Sequence, residues 1–328
     1  MKFLITGAAG FIGYHLSSNL LSQKHKIVAI DNINSYYDIK LKKHRIKLLK
    51  KDKNKKNFSF IKLDLQNKKK LKHIFKQNNF DFVIHLAAQA GVRFSIDRPE
   101  EYIKSNVIGF FNLLEIIRYT KTKLIFASSS SVYGNKKKFP ILETDTTDKP
   151  IQFYASTKKT NEIMAYTFSS LTKIPATGLR FFTVYGPWGR PDMAFFKFVE
   201  NIKKNKKIEI YNKGNHERDF SYIDYIAEGI VNSLENSNSI HLHKMGQVPF
   251  EIYNLGNGKP VNLMKCVKII ENIMKKKAKK KFLKIQSGDV VKTYADIKKA
   301  KKDLKLKTNF SISRGLKNFI EWHGRNYK

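Results

Sequence analysis

Short apolar runs alternate with amphipathic stretches along the first half of the chain. Lys2–Thr6 reads as a short buried strand, and Lys26–Ile30, Phe58–Leu63, Phe82–Leu86, Lys123–Ala127 and Ile174–Leu179 as five further strands. Between them, apolar residues recur at helical spacing. Leu16, Leu20 and Leu21 mark one helix, and Leu41, Ile46, Leu48 and Leu49 mark a second. Ile103, Val107, Phe110, Phe111 and Leu114 predict one long helix from Pro99 to Arg118, and another runs from near Tyr154 to about Leu171. Six strands alternating with helices predict an α/β protein with a Rossmann-type, doubly wound parallel sheet. The pattern changes after Arg180, where Phe181 to Trp188 is aromatic and loop-rich. Residues 1–180 are expected to form the first domain, with a return segment near 222–255. Residues 181–328 are expected to form mainly a smaller, mixed α/β substrate domain.

A chain of 328 residues with 41% hydrophobic content has ample core for this plan. No apolar run is long enough to span a membrane, and glycines interrupt the N-terminus too early for a signal peptide. Cys266 is the single cysteine, which excludes an intrachain disulfide and fits a reducing cytoplasm. The charge is unusual: 63 Lys+Arg against 27 Asp+Glu, a formal +36. Such a balance suits a nucleic-acid or membrane-surface binder. The lysines scatter along the chain, however, rather than forming an aromatic-interleaved stripe. Compositional drift is the better reading, and no specific nucleic acid or membrane partner is expected. The basic stretch 35–57 reads as an amphipathic helix followed by solvated surface.

The first strand runs into Gly7, Gly10 and Gly13 and then into a helix. A strand, a glycine turn and a helix N-terminus make a pyrophosphate site, because backbone can approach the phosphates and free N–H groups point at them. Contacts are expected from these glycines with Phe11 and Ile12. Asp31 ends the second strand and suits the adenosine ribose hydroxyls, an arrangement that favours NAD over its 2′-phosphorylated form; Asn32 follows it. Asp64 and Leu65 offer a carboxylate and a backbone N–H to adenine. Leu86, Ala87 and Ala88 let a dinucleotide lie against the fourth strand's end. His85 reads as a buried structural residue. Asn106 reads as either a satisfied buried amide or a support for the cofactor.

Tyr154 and Lys158 share a helix face. A phenol is a poor base at neutral pH, but a nearby ammonium and a positive nicotinamide ring both favour phenolate. Ser129, at the end of the fifth strand with Ser128 and Ser130 beside it, is the candidate to orient a substrate hydroxyl. Together with the glycine turn and Asp31, the trio points to nicotinamide-dependent chemistry with Tyr154, Lys158 and Ser129 catalytic. No metal is expected.

These motifs resemble the extended short-chain dehydrogenase/reductases of the NAD-dependent epimerase/dehydratase family, nearly end to end. Asp31–Asp38, His85–Arg93, Arg180–Met193, Arg218–Asp224 and Gly288–Asp296 look closer still to bacterial UDP-glucuronate 4-epimerases. The resemblance implies an NAD-dependent isomerase acting on a UDP-sugar through a 4-keto intermediate, a homodimer, and a role in supplying surface-polysaccharide precursors. It assigns Thr183, Arg190, Ser129 and Ser130 to the uronate carboxylate, Arg218 to the diphosphate, Asp289 to a ribose, Tyr211 to uracil and Arg93 to the sugar or diphosphate. Related dehydratases and decarboxylases carry acids where Ser130 and Ser131 stand. A UDP-glucose 4-epimerase typically has Asn in place of Thr183. The alternatives are a UDP-glucose 4-epimerase or UDP-glucuronate decarboxylase on the same fold, and a non-catalytic NAD-binding protein that binds RNA or another polyanion. Ser287 stands where relatives usually have proline.

Overall fold

The computed structural model describes the chain except residues 244–246, 287, 308, 309 and 328. Seven strands form one parallel sheet: β1 (Lys2–Thr6), β2 (Lys26–Asp31), β3 (Phe58–Lys62), β4 (Phe82–His85), β5 (Lys123–Ser129), β6 (Ala176–Phe181) and the edge strand Phe250–Leu255. From the edge strand inward the order is β6, β5, β4, β1, β2, β3. Alternation splits β1 between two cores. Phe3 and Ile5 pack with Leu16, Leu20, Ile226 and Ile230 on one face; Leu4 packs with Val28, Phe110 and Ile117 on the other. Strands buried on both faces read as continuous apolar runs, which is why they were legible. The helix Ile223–His243 packs on α1 (Phe11–Ser22).

The strand order reverses between β1 and β4, so their C-terminal ends diverge into a crevice where α/β sheets bind ligands. Two further sheets flank it. One joins Pro260–Asn262, Glu217–Tyr222 and Thr183–Tyr185; the other joins Lys280–Leu283 and Ile208–Tyr211. No helix among the described residues is long and apolar enough to cross a membrane.

Two elements differ from the sequence reading. Strand β6 begins after Pro175 and runs through Arg180 to Phe181 rather than stopping at Leu179. Arg180 looked like a boundary, yet it is buried because Glu162 satisfies it. The expected single helix from Pro99 to Arg118 is instead a turn of helix (Pro99–Tyr102), a π-helical stretch (Ile103–Ile108) and a helix Gly109–Thr120. The wider turn rotates the residues around it. Ile103 and Phe111 are exposed, and Asn106 is fully buried.

Candidate active site

A cleft of about 870 Å³ opens over the β1–β4 crevice. Gly7 adopts φ +73°, and a Cβ there would meet the Ala87 nitrogen at 2.6 Å. A Cβ on Gly13 would meet the Gly7 carbonyl oxygen at 2.2 Å. Both positions therefore require glycine, because backbone approaches backbone. Helix α1 starts at Gly10 with no side-chain cap and no acid in its first turn. Its N-terminal N–H groups are available to an anion beside Gly10, Phe11, Ile12 and Gly13, all on the cleft wall. These features fit a dinucleotide pyrophosphate.

Asp31 lines the same cleft, accepting from Ala9 N at 3.1 Å and Ile33 N at 2.8 Å. Burial raises its pKa, opposed by those two N–H groups and by the Lys42 ammonium. Each oxygen keeps a lone pair for a ribose hydroxyl. Asp64 accepts from Asn32 Nδ2 at 2.8 Å and Gln66 N at 2.9 Å. Leu65, Leu86, Ala87 and Ala88 also face the cleft. Asn106 does not. Its Nδ2 donates to Gln89 O and Thr157 Oγ1, both at 3.0 Å, and its Oδ1 accepts from Gln89 N at 2.7 Å. With both polar ends spent behind the wall, it fixes the loop after β4 rather than touching the cleft. His85 is buried and lies 2.9 Å from Thr6 Oγ1; burial holds its pKa well below the usual histidine value.

Tyr154, Lys158 and Glu162 recur at four-residue spacing on one face of the helix Phe153–Thr172. The Tyr154 hydroxyl shares the cleft with Ser129, whose Oγ donates to Ser131 Oγ at 3.1 Å. Lys158 Nζ donates to Ala127 O at 2.9 Å. Its pKa is lowered to about 8 by burial, and Glu162 opposes the fall. Burial raises the Tyr154 pKa, opposed by Arg190 and the Ser129 hydrogen bond. Arg190 is thus a cation that favours phenolate, one that the spacing of Tyr154 and Lys158 did not reveal. Ser128 Oγ donates to Glu162 Oε1 at 2.6 Å.

Thr183, Ser130 and Arg190 line the cleft. Arg190 already makes a bidentate pair with Asp192, through Nε at 3.0 Å and Nη2 at 2.5 Å. Tyr36 donates to the same carboxylate at 3.1 Å. At the other end, the Arg93 guanidinium lies 4.6 Å from the Tyr211 ring centre and 3.8 Å from Asp289. Arg218 donates to Val291 O at 2.8 Å. Gln152, which precedes the Tyr154 helix, donates to Gly288 O at 2.5 Å, tying the Asp289 turn to that helix. Ser287 lies outside the described residues. Sequence reasoning missed Glu162, Gln152, Tyr36, Asp192 and Lys42; Glu162, Gln152 and Tyr36 meet partners that lie far away in sequence.

A pyrophosphate turn opposite a serine–tyrosine–lysine centre defines an enzyme of the short-chain dehydrogenase/reductase class. The sequence profile of the NAD dependent epimerase/dehydratase family matches residues 3–256, and the chain belongs to that family. It is 39% identical to a probable UDP-glucuronate 4-epimerase of Rhizobium meliloti, over 100% of this chain and 98% of the relative. It is 43% identical to UDP-glucuronate 4-epimerase 4 of Arabidopsis thaliana, over 98% of this chain and 74% of the relative. Among solved structures, the UDP-glucuronic acid 4-epimerase of Bacillus cereus in complex with UDP-glucuronic acid and NAD superimposes with a TM-score of 0.90 at 34% identity, covering 100% of both chains.

Proposed function

We propose that this chain interconverts UDP-glucuronate and UDP-galacturonate by NAD-dependent epimerisation at C4. The observation that carries the reading is that Ser129, Tyr154 and Lys158 line the same cleft as Gly7, Gly10 and Gly13. NAD, when bound, supplies the acceptor that takes the 4-hydride and later returns it. Gly7, Gly10 and Gly13 with the α1 N-terminus hold its diphosphate, Asp31 and Asn32 its ribose, and Asp64 and Leu65 its adenine. Tyr154 takes the proton of the sugar 4-hydroxyl and returns it to the 4-oxygen once the 4-keto sugar has turned its other face to the cofactor. Ser129 orients that hydroxyl. Lys158 supports phenolate when protonated.

A 4-keto uronate is a β-keto acid and loses CO₂ when its carboxylate bond aligns with the carbonyl π system. Thr183, Ser130 and Arg190 hold the carboxylate out of that alignment. Asp192 bears on this assignment, because the incoming carboxylate competes with it for the Arg190 fork. Tyr211, Arg93, Arg218 and Asp289 take the uridine diphosphate. Residues 1–180 with 222–255 serve the cofactor, and the remainder after 181 serves mainly the sugar nucleotide. The single, buried cysteine suits a cytoplasmic setting. A nucleotide-activated uronate is the form glycosyltransferases consume, consistent with supply of a surface polysaccharide. Incubating the purified protein with UDP-glucuronate and no added reductant should yield UDP-galacturonate. A UDP-pentose product, or turnover of UDP-glucose only, would replace this reading with the decarboxylase or hexose epimerase.

We also propose a homodimer. The helices Gly109–Thr120 and Phe153–Thr172 pack together and leave Phe111, Ile163, Tyr166 and Leu171 about half exposed or more. Two such pairs form a four-helix layer that buries these side chains. Sedimentation velocity should give a dimer, and Ile163→Asp a monomer; a wild-type monomer at micromolar concentration would contradict it.

A further inference from the structure

Helix α2 (Ile39–Leu49) is the amphipathic helix of the basic segment, and its Arg45 is completely buried. Nη1 donates to Ala9 O and to the Tyr37 hydroxyl, both at 2.8 Å. Nη2 donates to Trp188 O at 2.5 Å and Gly189 O at 3.3 Å. Among the described residues no carboxylate pairs with it. A buried guanidinium without a counter-charge is unfavourable unless its hydrogen bonds are satisfied. Here both Nη nitrogens are satisfied, Nε is buried without a partner, and the Asp31 carboxylate is near enough to feel the charge; three of the four acceptors are main-chain carbonyls, contributed by two distant loops. Ala9 lies inside the glycine turn, and its own N–H goes to Asp31. Trp188 and Gly189 immediately precede Arg190. Trp188 has φ +61°, a left-handed conformation rare for a bulky residue, and its carbonyl is the one Arg45 holds most closely.

We propose that Arg45 is a positioning residue that couples the pyrophosphate loop to the loop carrying Arg190, so that dinucleotide occupancy and uronate recognition reinforce each other. The inference rests on the assignment of Arg190 to the uronate carboxylate. One rigid fork spans both loops; a shift of Ala9 that accommodates the diphosphate is transmitted to Trp188 and Gly189. A lysine has the charge but not the fork, and one ammonium cannot hold both sides in this geometry.

The test is a binding cycle with ADP-ribose as the diphosphate probe. In protein freed of NAD, ADP-ribose should tighten UDP-glucuronate binding by about tenfold, within the range usual for coupled sites, and UDP-glucose binding much less. Arg45→Lys should bring the factor for UDP-glucuronate close to one while leaving UDP affinity within about twofold. A merely structural role predicts that all ligands weaken together with the coupling factor intact, which would overturn the proposal. If Arg45→Lys does not fold, hydrogen exchange in the wild type decides. ADP-ribose alone should slow exchange in residues 186–193, and unchanged exchange there overturns the coupling. A wild type with no preference for UDP-glucuronate over UDP-glucose would sink the carboxylate assignment instead.

Discussion

Tyr154→Phe lowers kcat by at least about two orders of magnitude while leaving UDP and ADP-ribose affinities within about threefold. The ring itself is a packing element, set edge-on to Tyr102 with centroids 6.2 Å apart, and phenylalanine preserves that contact. What disappears is the phenol oxygen, which shares the cleft with Ser129 and is the group assigned to carry the 4-hydroxyl proton. Lys158, one turn away, is directed at the Ala127 carbonyl. Turnover close to the wild-type rate would remove Tyr154 from the role of base. Steady-state rates and titration of the two ligands separate the outcomes.

Glu162→Ala costs about 3–5 kcal/mol of stability, a fall in Tm of roughly 4–7 °C. Glu162 accepts from Arg180 Nε at 2.7 Å and Nη2 at 2.8 Å, and from Ser128 at 2.6 Å. Both members of the ion pair are about 95% buried, with side-chain exposures of 5% each. Removing the carboxylate strands the Arg180 guanidinium between Tyr133 and the Glu143 carbonyl, which are its only remaining partners among the described residues. Replacing both partners with methionine should restore much of the loss, because the penalty lies in the unpaired charge. A second effect follows from Lys158. Glu162 holds its pKa up, so losing that charge lets the ammonium deprotonate below about 8. Because the protonated form supports phenolate, the alkaline limb of the rate profile should move to lower pH. Unchanged thermal stability on losing Glu162 would contradict the first effect.

The parallel sheet was legible because strands buried on both faces are continuous apolar runs. The glycine turn was legible because its residues are consecutive and sterically required. Tyr154 and Lys158 were legible because one helix face unites them. The groups that support them were not. Arg180 and Glu162 lie on different elements, and a charge at a strand's end resembles a boundary until its partner is seen. Arg45 sits among Lys42, Lys43 and Lys47, and nothing local distinguishes the arginine that turns inward. Tyr36 meets Asp192 across 156 positions of sequence. The π-helical stretch shifted the buried face of its helix, which the 3.6-residue period did not anticipate.

At the centre stands the departure of a hydride from C4 and its return to the same carbon within one closed site. The direct measurement is conversion of UDP-glucuronate deuterated at C4 in ordinary water, followed by mass and NMR analysis of the product. The UDP-galacturonate formed should keep essentially all its deuterium at C4, with none lost to solvent. Wash-out of the label during epimerisation would mean that the carbon is deprotonated rather than oxidised, and would contradict the account.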